Sequence, residues 1–161
     1  MKDIDIKNEF GNFKLRSSSV VIKDNYVLLE RAKKYNGYIF PGGHVELGET
    51  TIEALLRETK EELNCNINSY RLICALENIY ELDNKTAQEI NYFYELDTDM
   101  EIKEKEFILE EIDKGVKKTH EYVWYDINDI ENASLYPTSL KGLIKNKEYN
   151  KIILCDNRNK N

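Results

Sequence analysis

One segment, residues 50–63, constrains the fold of this chain more than any other part of the sequence. Apolar or small side chains recur in it at helical spacing and predict one buried stripe. The members of that stripe are Ile52, Leu55, Leu56, Thr59 and Leu63. Thr50, with Glu53 three residues later, has the pattern of a capping box at the start of a helix. Asn64 follows the last apolar position and suits the left-handed residue that often ends a helix. The sequence therefore predicts an amphipathic helix over residues 50–63.

The same helix carries three carboxylates in positions that local electrostatics does not favour. Glu58, Glu61 and Glu62 fall within an arc of roughly 100° beside the apolar stripe. Like charges four residues apart repel each other, and the helix dipole opposes carboxylates near the C-terminal end. A bound divalent cation would explain the cluster, because carboxylates are preferred ligands of Mg²⁺ and Mn²⁺. A solvated charged face is the competing interpretation, since Arg57 can pair with Glu53 and with Glu61.

The segment before this helix, residues 37–49, has an unusual backbone composition. It contains four of the seven glycines and one of the two prolines in the chain. In the run Pro41-Gly42-Gly43, the absence of side chains lets main-chain groups approach an ion or a phosphate closely. A tight turn is the competing interpretation for any single glycine. Taken with the acidic helix, the loop indicates a site for a cation and a phosphate.

The rest of the chain predicts a mixed sheet with helices packed on its faces. The strand-like stretches are residues 13–22, 26–30, 67–82, 89–96 and 120–125, and a second helix is predicted at 139–145. Residues 101–118 are rich in charge and fit neither a clean helix nor a clean strand. No repeat or linker divides the chain, so we expect a single domain over residues 1–161, with polar ends at 1–12 and 150–161.

Residues 43–65 combine the loop and the helix in one spaced pattern. Gly43 is followed after five residues by Glu49, and after seven more by Arg57-Glu58-Thr59-Lys60-Glu61-Glu62-Leu63-Asn64-Cys65. This arrangement resembles the Nudix box, Gly-x5-Glu-x7-Arg-Glu-aliphatic-x-Glu-Glu-x-Gly-aliphatic. Thr59 and Cys65 replace aliphatic residues, and Asn64 replaces the last glycine, whose left-handed geometry asparagine tolerates. None of these departures removes a charged position.

The resemblance implies an α+β fold, an α/β/α sandwich with a mixed curved sheet packed between helices. It also implies a metal-dependent enzyme that cleaves a nucleoside diphosphate linked to another moiety. Glu58, Glu61 and Glu62 match the family's metal-binding carboxylates, which would hold Mg²⁺ or Mn²⁺. The Gly42 carbonyl is expected as an additional ligand.

The resemblance also assigns supporting and catalytic roles. Arg57 and Glu49 match a pair that steadies the loop containing Gly43 against the helix. One carboxylate must accept the proton of the attacking water. Glu58 and Glu61 within the box and Glu121 on a later strand are candidates for that role, with Glu89 and Glu111 as further ones.

Stacking on aromatic side chains is the expected means of nucleobase recognition. Tyr38 and Phe40 lie at the mouth of the glycine-rich loop, and His44 lies inside it, where it is a turn residue or reaches a phosphate. Other aromatic candidates on the sheet are Tyr92, Phe93, Tyr94, Trp124 and Tyr125.

Charge and cysteine usage exclude other classes of protein. With 23 Lys and Arg against 30 Asp and Glu, the net charge of −7 disfavours binding to DNA or RNA. No apolar run is long enough to cross a membrane, and no signal-peptide pattern is present. Three cysteines without paired spacing favour a reducing cytoplasm over a disulfide scaffold. Oligomeric state stays open, with a homo-oligomer among the alternatives.

The sequence therefore favours a metal-dependent pyrophosphohydrolase acting on a small nucleotide whose identity stays open. A non-catalytic nucleotide-binding sensor of the same family is the alternative. A plain interaction domain with an acidic helix is a third interpretation, and it predicts no effect of metal.

Overall fold

The computed structural model describes residues 2–33, 36–82, 84–113 and 115–156. The strands within these ranges are β1 (Asp5–Lys7), β2 (Gly11–Lys23), β3 (Tyr26–Ala32), β4 (Gly37–Ile39), β5 (Gly42–His44), β6 (Ile67–Leu82), β7 (Lys85–Thr98), β8 (Glu106–Asp113), β9 (Val116–Asp126) and β10 (Lys151–Asp156). The α-helices are α1 (Thr51–Leu63) and α2 (Leu140–Asn146), and a 3-10 helix, Ile127–Asn132, precedes α2. None of the helices in this part of the chain is long and apolar enough to span a membrane.

The strands form one mixed sheet that opens in the middle. Its order is β10-β6-β7-β2-β3-β9-β8, and the β2–β7 and β6–β10 pairs are parallel. β2 and β3 pair only next to their turn, at Ile22–Val27 and Lys23–Tyr26. Beyond these pairs β5 adds to β2 and β4 adds to β3. The glycine-rich segment predicted from the sequence therefore lies at the fork between the two central strands.

Two apolar layers cover the two faces of the sheet. On one face, α1 packs against the sheet through Leu55 and Leu63, in a cluster that contains Leu28, Trp124 and Tyr122. On the other face, the 3-10 helix and α2 contribute Ile130, Leu140 and Ile144 to a second cluster. Alternation along β2 divides its side chains between the layers, with Val20 in one and Val21 in the other. The sheet is thus packed between helices, as predicted.

Helix α1 has the predicted ends. The Thr50 side chain accepts a hydrogen bond from the Glu53 amide, and the Glu53 side chain accepts one from the Thr50 amide, which completes the capping box. Asn64 ends the helix with a left-handed φ of 48°. The predicted stripe is wrong at Leu56, which is 42% exposed, whereas Ile52 is half-buried and packs against the cluster that contains Leu55 and Leu63. Ala54 and Glu62 are buried instead, because the face of α1 that packs against the sheet is rotated from the predicted stripe toward the acidic residues.

Three segments differ from the sequence-based expectation. Residues 101–118, which fitted no element, contain β8 and the start of β9 at one edge of the sheet, where most of the described charged side chains face solvent and Glu111 is buried. The polar C-terminal end contains β10, which pairs in parallel with β6. The polar N-terminal segment contains β1 and the first residues of β2. Residue 1 and residues 157–161 of these predicted polar ends lie outside the described residues.

Candidate active site

Arg57 is the centre of the hydrogen-bond network that joins the loop to α1. Its Nε and Nη2 donate to the two carboxylate oxygens of Glu49, each at 2.9 Å. Its Nη2 also donates to the His44 carbonyl at 3.0 Å, and its Nη1 donates to Glu58 at 2.7 Å and to Glu61 at 3.2 Å. These hydrogen bonds lower the pKa of Glu49 below its usual range and keep Arg57 charged. The loop carboxylate and two helix carboxylates are therefore held by one guanidinium.

Gly43 provides the space that the Glu58 carboxylate occupies. A Cβ atom at Gly43 would overlap both carboxylate oxygens of Glu58. The side chain of Glu58 is only 15% exposed. Burial raises the pKa of Glu58, while the neighbouring Arg57 acts in the opposite direction. A side chain at position 43 would thus displace the first carboxylate of the box.

A hydrogen bond connects the Glu62 side chain to the glycine-rich loop. Its Oε2 accepts a hydrogen bond of 2.9 Å from the Gly42 amide, and the residue is 7% exposed. Burial and the charges of Glu30 and Glu58 raise the pKa of Glu62. A buried carboxylate facing other carboxylates is stabilised by a cation, so Glu58 and Glu62 fit the metal that the sequence predicts. Glu61, the third acid predicted as a ligand, has 54% of its side chain exposed and pairs with Arg57, and its role as a metal ligand stays a prediction.

The Gly42 carbonyl, predicted as a metal ligand, has a protein partner in this structure. The Arg16 Nη2 donates a hydrogen bond of 2.8 Å to it. Arg16 lies on β2, directly paired with His44 of β5. A positive group therefore already faces this oxygen, and the role of the carbonyl as a metal ligand stays a prediction.

The structure does not bring Glu121 together with the acids of the box. Its side chain pairs with Lys33 at 2.5 Å and with Arg31 at 3.6 Å, and these cations lower its pKa. The preceding residue, His120, points to the opposite face of β9, since adjacent residues of a strand alternate. His120 Nδ1 lies 2.7 Å from Glu30 Oε1. The proposed role of Glu121 as a base stays a prediction that this placement does not favour.

The two further candidates for the base lie in different places. Glu111 is buried on β8, and its Oε1 lies 3.5 Å from His120 Nε2. Glu89 lies on β7, where Asn78 donates a hydrogen bond of 3.2 Å to it. Sequence reasoning missed Glu30 and His120 because neither belongs to the box. Position 120 could have been found from strand alternation, since it shares a face with Tyr122 and Trp124.

A cavity of about 490 Å³ opens beside the loop. Its apolar wall includes Phe40, Phe93 and Tyr136, and Asn91 and Arg16 supply polar groups. Arg16 links this cavity to the loop, because it also contacts the Gly42 carbonyl. Other aromatic candidates lie elsewhere: Tyr94 and Trp124 are in the core on the α1 side, and Tyr38 packs edge-on against Tyr125. The volume is in the range of small-molecule sites.

His44 and the cysteines have no role that this geometry makes evident. Burial and the nearby charge of Arg16 lower the pKa of His44, and its buried Nε2 has no hydrogen-bond partner within the described part of the chain. Cys65 and Cys74 are buried free thiols, and burial raises the pKa of Cys74 to about 12. Both cysteines are therefore core residues.

A family model for the NUDIX domain matches residues 14–145. The match spans most of the chain, and it includes the loop, α1 and the strands that support them. The chain belongs to the Nudix family of hydrolases, whose members act on phosphoric anhydride bonds. Nudix hydrolases typically use divalent metal ions.

Solved structures of the family share the fold. The MutT protein from Bacillus halodurans matches with a TM-score of 0.59 at 17% identity, covering 82% of this chain and 80% of that chain. The MutT NUDIX hydrolase from Burkholderia pseudomallei matches with a TM-score of 0.57 at 20% identity, covering 80% of this chain and 95% of that chain. An ADP-ribose pyrophosphatase from Streptococcus suis matches with a TM-score of 0.52 at 14% identity, covering 88% of this chain and 98% of that chain. At these identities the likeness shows the fold and leaves the substrate to be argued from the site.

Proposed function

We propose that this protein is a Mg²⁺- or Mn²⁺-dependent pyrophosphohydrolase that cleaves a small nucleoside diphosphate linked to another moiety. One observation carries the proposal: the buried carboxylate of Glu62 and the partly buried carboxylate of Glu58 converge on the backbone of Gly42 and Gly43. Arg57 pairs with Glu58, the remaining negative charge of the cluster favours a bound cation, and the absence of a side chain at Gly43 leaves the carboxylates room. Glu58, Glu61 and Glu62 would hold the ion. A bound ion supplies neutralisation of the diphosphate charge and activation of water.

Side chains of the protein position the acids and accept the proton of the attacking water. Arg57 fixes the positions of Glu49, Glu58 and Glu61, so the acids are arranged before substrate binds. Glu61 is the exposed carboxylate of the three, and we propose that it accepts the proton of the attacking water. Water attack on phosphorus then breaks the phosphoanhydride bond and releases two phosphate-bearing products.

We place the nucleoside in the cavity beside the loop. Tyr136, which is 46% exposed, can stack against a base, and the buried rings of Phe40 and Phe93 complete the apolar wall. The Asn91 amide, which exchanges hydrogen bonds with Ser18, is the nearby polar group. Lys14 and Arg16 lie on the same wall, where their charges would attract the phosphates. The cavity thus joins a region suited to a base with a region suited to a diphosphate.

The test is a panel of nucleoside triphosphates, nucleotide sugars, ADP-ribose and dinucleoside polyphosphates, assayed with Mg²⁺ or Mn²⁺ and analysed for products. ADP-ribose is included because one structural neighbour is an ADP-ribose pyrophosphatase. We expect turnover of at least one compound to a nucleoside monophosphate and a second phosphate-bearing product. Glu61→Gln should lose most of this activity, whereas Glu121→Gln, on the opposite face of the sheet, should retain it.

The outcomes separate the alternatives. Undiminished turnover in Glu61→Gln would contradict the role of that residue. Nucleotide binding without turnover of any compound would favour the non-catalytic sensor. If metal had no effect on melting temperature or on nucleotide binding, a plain interaction domain would be favoured.

A further inference from the structure

Glu62 has a second set of neighbours that lie outside the box motif. Ligand atoms of Glu30, Glu62 and His120 all lie within 4.8 Å of one another. These residues come from β3, α1 and β9, and the pairing of β3 with β9 brings Glu30 next to the face that carries His120. Glu111 of β8 adds a third carboxylate at this place. Sheet pairing and helix packing have therefore assembled a donor set of three carboxylates and one imidazole.

The imidazole of His120 is oriented from both sides. Its Nδ1 forms a hydrogen bond of 2.7 Å with Glu30 Oε1, and a metal ion would replace the shared proton, since two neighbouring ligands of one ion lie about 3 Å apart. Its Nε2 faces Glu111 Oε1 at 3.5 Å and makes no hydrogen bond of good geometry. Histidines that bind metals through one nitrogen usually direct the other toward a carboxylate or carbonyl oxygen. His120 has this arrangement, with Nδ1 toward Glu30 and Nε2 toward Glu111.

Tyr122 provides an independent indication that a ligand belongs here. The residue is only 2% exposed, yet its hydroxyl has no hydrogen-bond partner among the residues that the structure describes. Its ring lies parallel to that of His120, with centroids 6.1 Å apart. Burial, followed by the charges of Glu62, Glu30 and Glu111, raises the pKa of this hydroxyl. Buried tyrosine hydroxyls normally find a partner, so this one is aimed at a position where an ion or its bound water fits.

We propose that Glu30, Glu62 and His120 bind a divalent transition-metal ion, with Glu111 holding the outer nitrogen of the imidazole. Glu62 is shared with the ion held by the box, so the proposed site adjoins the catalytic one. A nitrogen ligand distinguishes the two sites, because imidazole suits transition metals and the all-oxygen set suits Mg²⁺. The location of the site beside a catalytic ion rests on the proposed function, but binding itself is measured without substrate.

The test uses Mn²⁺ as the probe, added to the 161-residue chain in the presence of excess Mg²⁺. Pulsed electron paramagnetic resonance detects a directly bound imidazole through the coupling of its nitrogen to the Mn²⁺ electrons. We expect this coupling in the native protein and its loss in His120→Gln, with Mn²⁺ affinity reduced about 10- to 100-fold. The matched control is His44→Gln, which changes the other histidine of the chain and should retain the coupling.

Each result decides for or against the site. Absence of nitrogen coupling in the native protein would overturn the proposal, as would coupling that disappears in His44→Gln and persists in His120→Gln. If His120→Gln does not fold, His44→Gln still decides, because any coupling it shows must come from the only histidine left. Glu61→Gln separates this inference from the proposed function, since hydrolysis should be lost while the coupling remains.

Discussion

Replacing Gly43 with alanine tests the spatial relation between the loop and the first carboxylate of the box. The added methyl group would overlap the Glu58 carboxylate, which Arg57 holds at 2.7 Å. Ordinary contacts between nonbonded heavy atoms are about 3.5 Å, so the carboxylate must move by about 1 Å or more. The backbone itself does not resist, because Gly43 has no positive φ.

The size of the effect follows from this displacement. A misplacement of about 1 Å near reacting groups can cost about 100-fold in rate, which is about 2.7 kcal/mol in activation free energy. The free energy of unfolding should fall by much less, about 1 kcal/mol. Only the Arg57–Glu58 hydrogen bond is weakened, and its two side chains are 28% and 15% exposed. Activity and stability are therefore expected to separate.

Two other glycines supply the controls. A Cβ atom at Gly142 would meet no atom within 4 Å, so Gly142→Ala should leave the rate unchanged and raise helix stability slightly. At Gly42, where φ is +138°, a Cβ atom would overlap the backbone of Ser17 and Ser18, so Gly42→Ala should cost about 3 kcal/mol or more. The assay compares the hydrolysis rate of a substrate found in the panel with urea unfolding of each variant. A Gly43→Ala enzyme with native rate, or with stability as low as Gly42→Ala, would refute the reasoning.

Three further predictions concern α1 and its contacts. Arg57→Lys should lower the hydrolysis rate about 10- to 100-fold, because an ammonium group cannot make the bidentate contact with Glu49 while holding Glu58; a native rate would contradict this. Thr50→Ala should lower the melting temperature by about 2–4 °C through loss of the helix cap, without changing the rate per folded molecule. The raised pKa values of Glu58 and Glu62 imply stability that is full below about pH 4.5 and is lost as pH rises through the folded-state pKa values. Melting of the metal-free protein should therefore shift downward as pH rises above about 5, and less so in Glu62→Gln; an equal shift in both would argue against this origin.

Local signals made α1 and its ends predictable from the sequence. The capping box, the left-handed Asn64 and the spacing of the acids all depend on residues within one segment of the chain. The long strands with clear alternation were predictable for the same reason. Leu56 was misassigned because periodicity indicates which side of a helix is apolar. How many positions on that side are buried depends on how the sheet packs against the helix.

The parts that sequence reasoning missed depend on contacts between distant segments. Strands β8 and β10 lie at the two edges of the sheet, where one partner and a solvated face suffice. Charged residues hide the pattern of β8, and the short apolar run of β10 stands within a polar segment. The meeting of Glu30 with His120 arises from the pairing of β3 with β9, about 90 residues apart. No local spacing encodes such a pair. The acids of the box, by contrast, share one helix and could be placed together without knowing the sheet.

The two fixed ends of α1 have a consequence for how this protein tolerates changes in chain length. Thr50 fixes where the helix begins and Asn64 fixes where it ends, so the number of residues between them is fixed as well. One inserted residue before Glu58 would rotate every later side chain by about 100° and turn Glu62 away from the Gly42 amide. A Cβ atom at Gly115 would meet none of the described atoms within 4 Å, so the hairpin of β8 and β9 carries no such packing constraint, although the φ of +80° favours glycine at that position. Lengthening should therefore be accepted at the outer hairpin and rejected inside the helix.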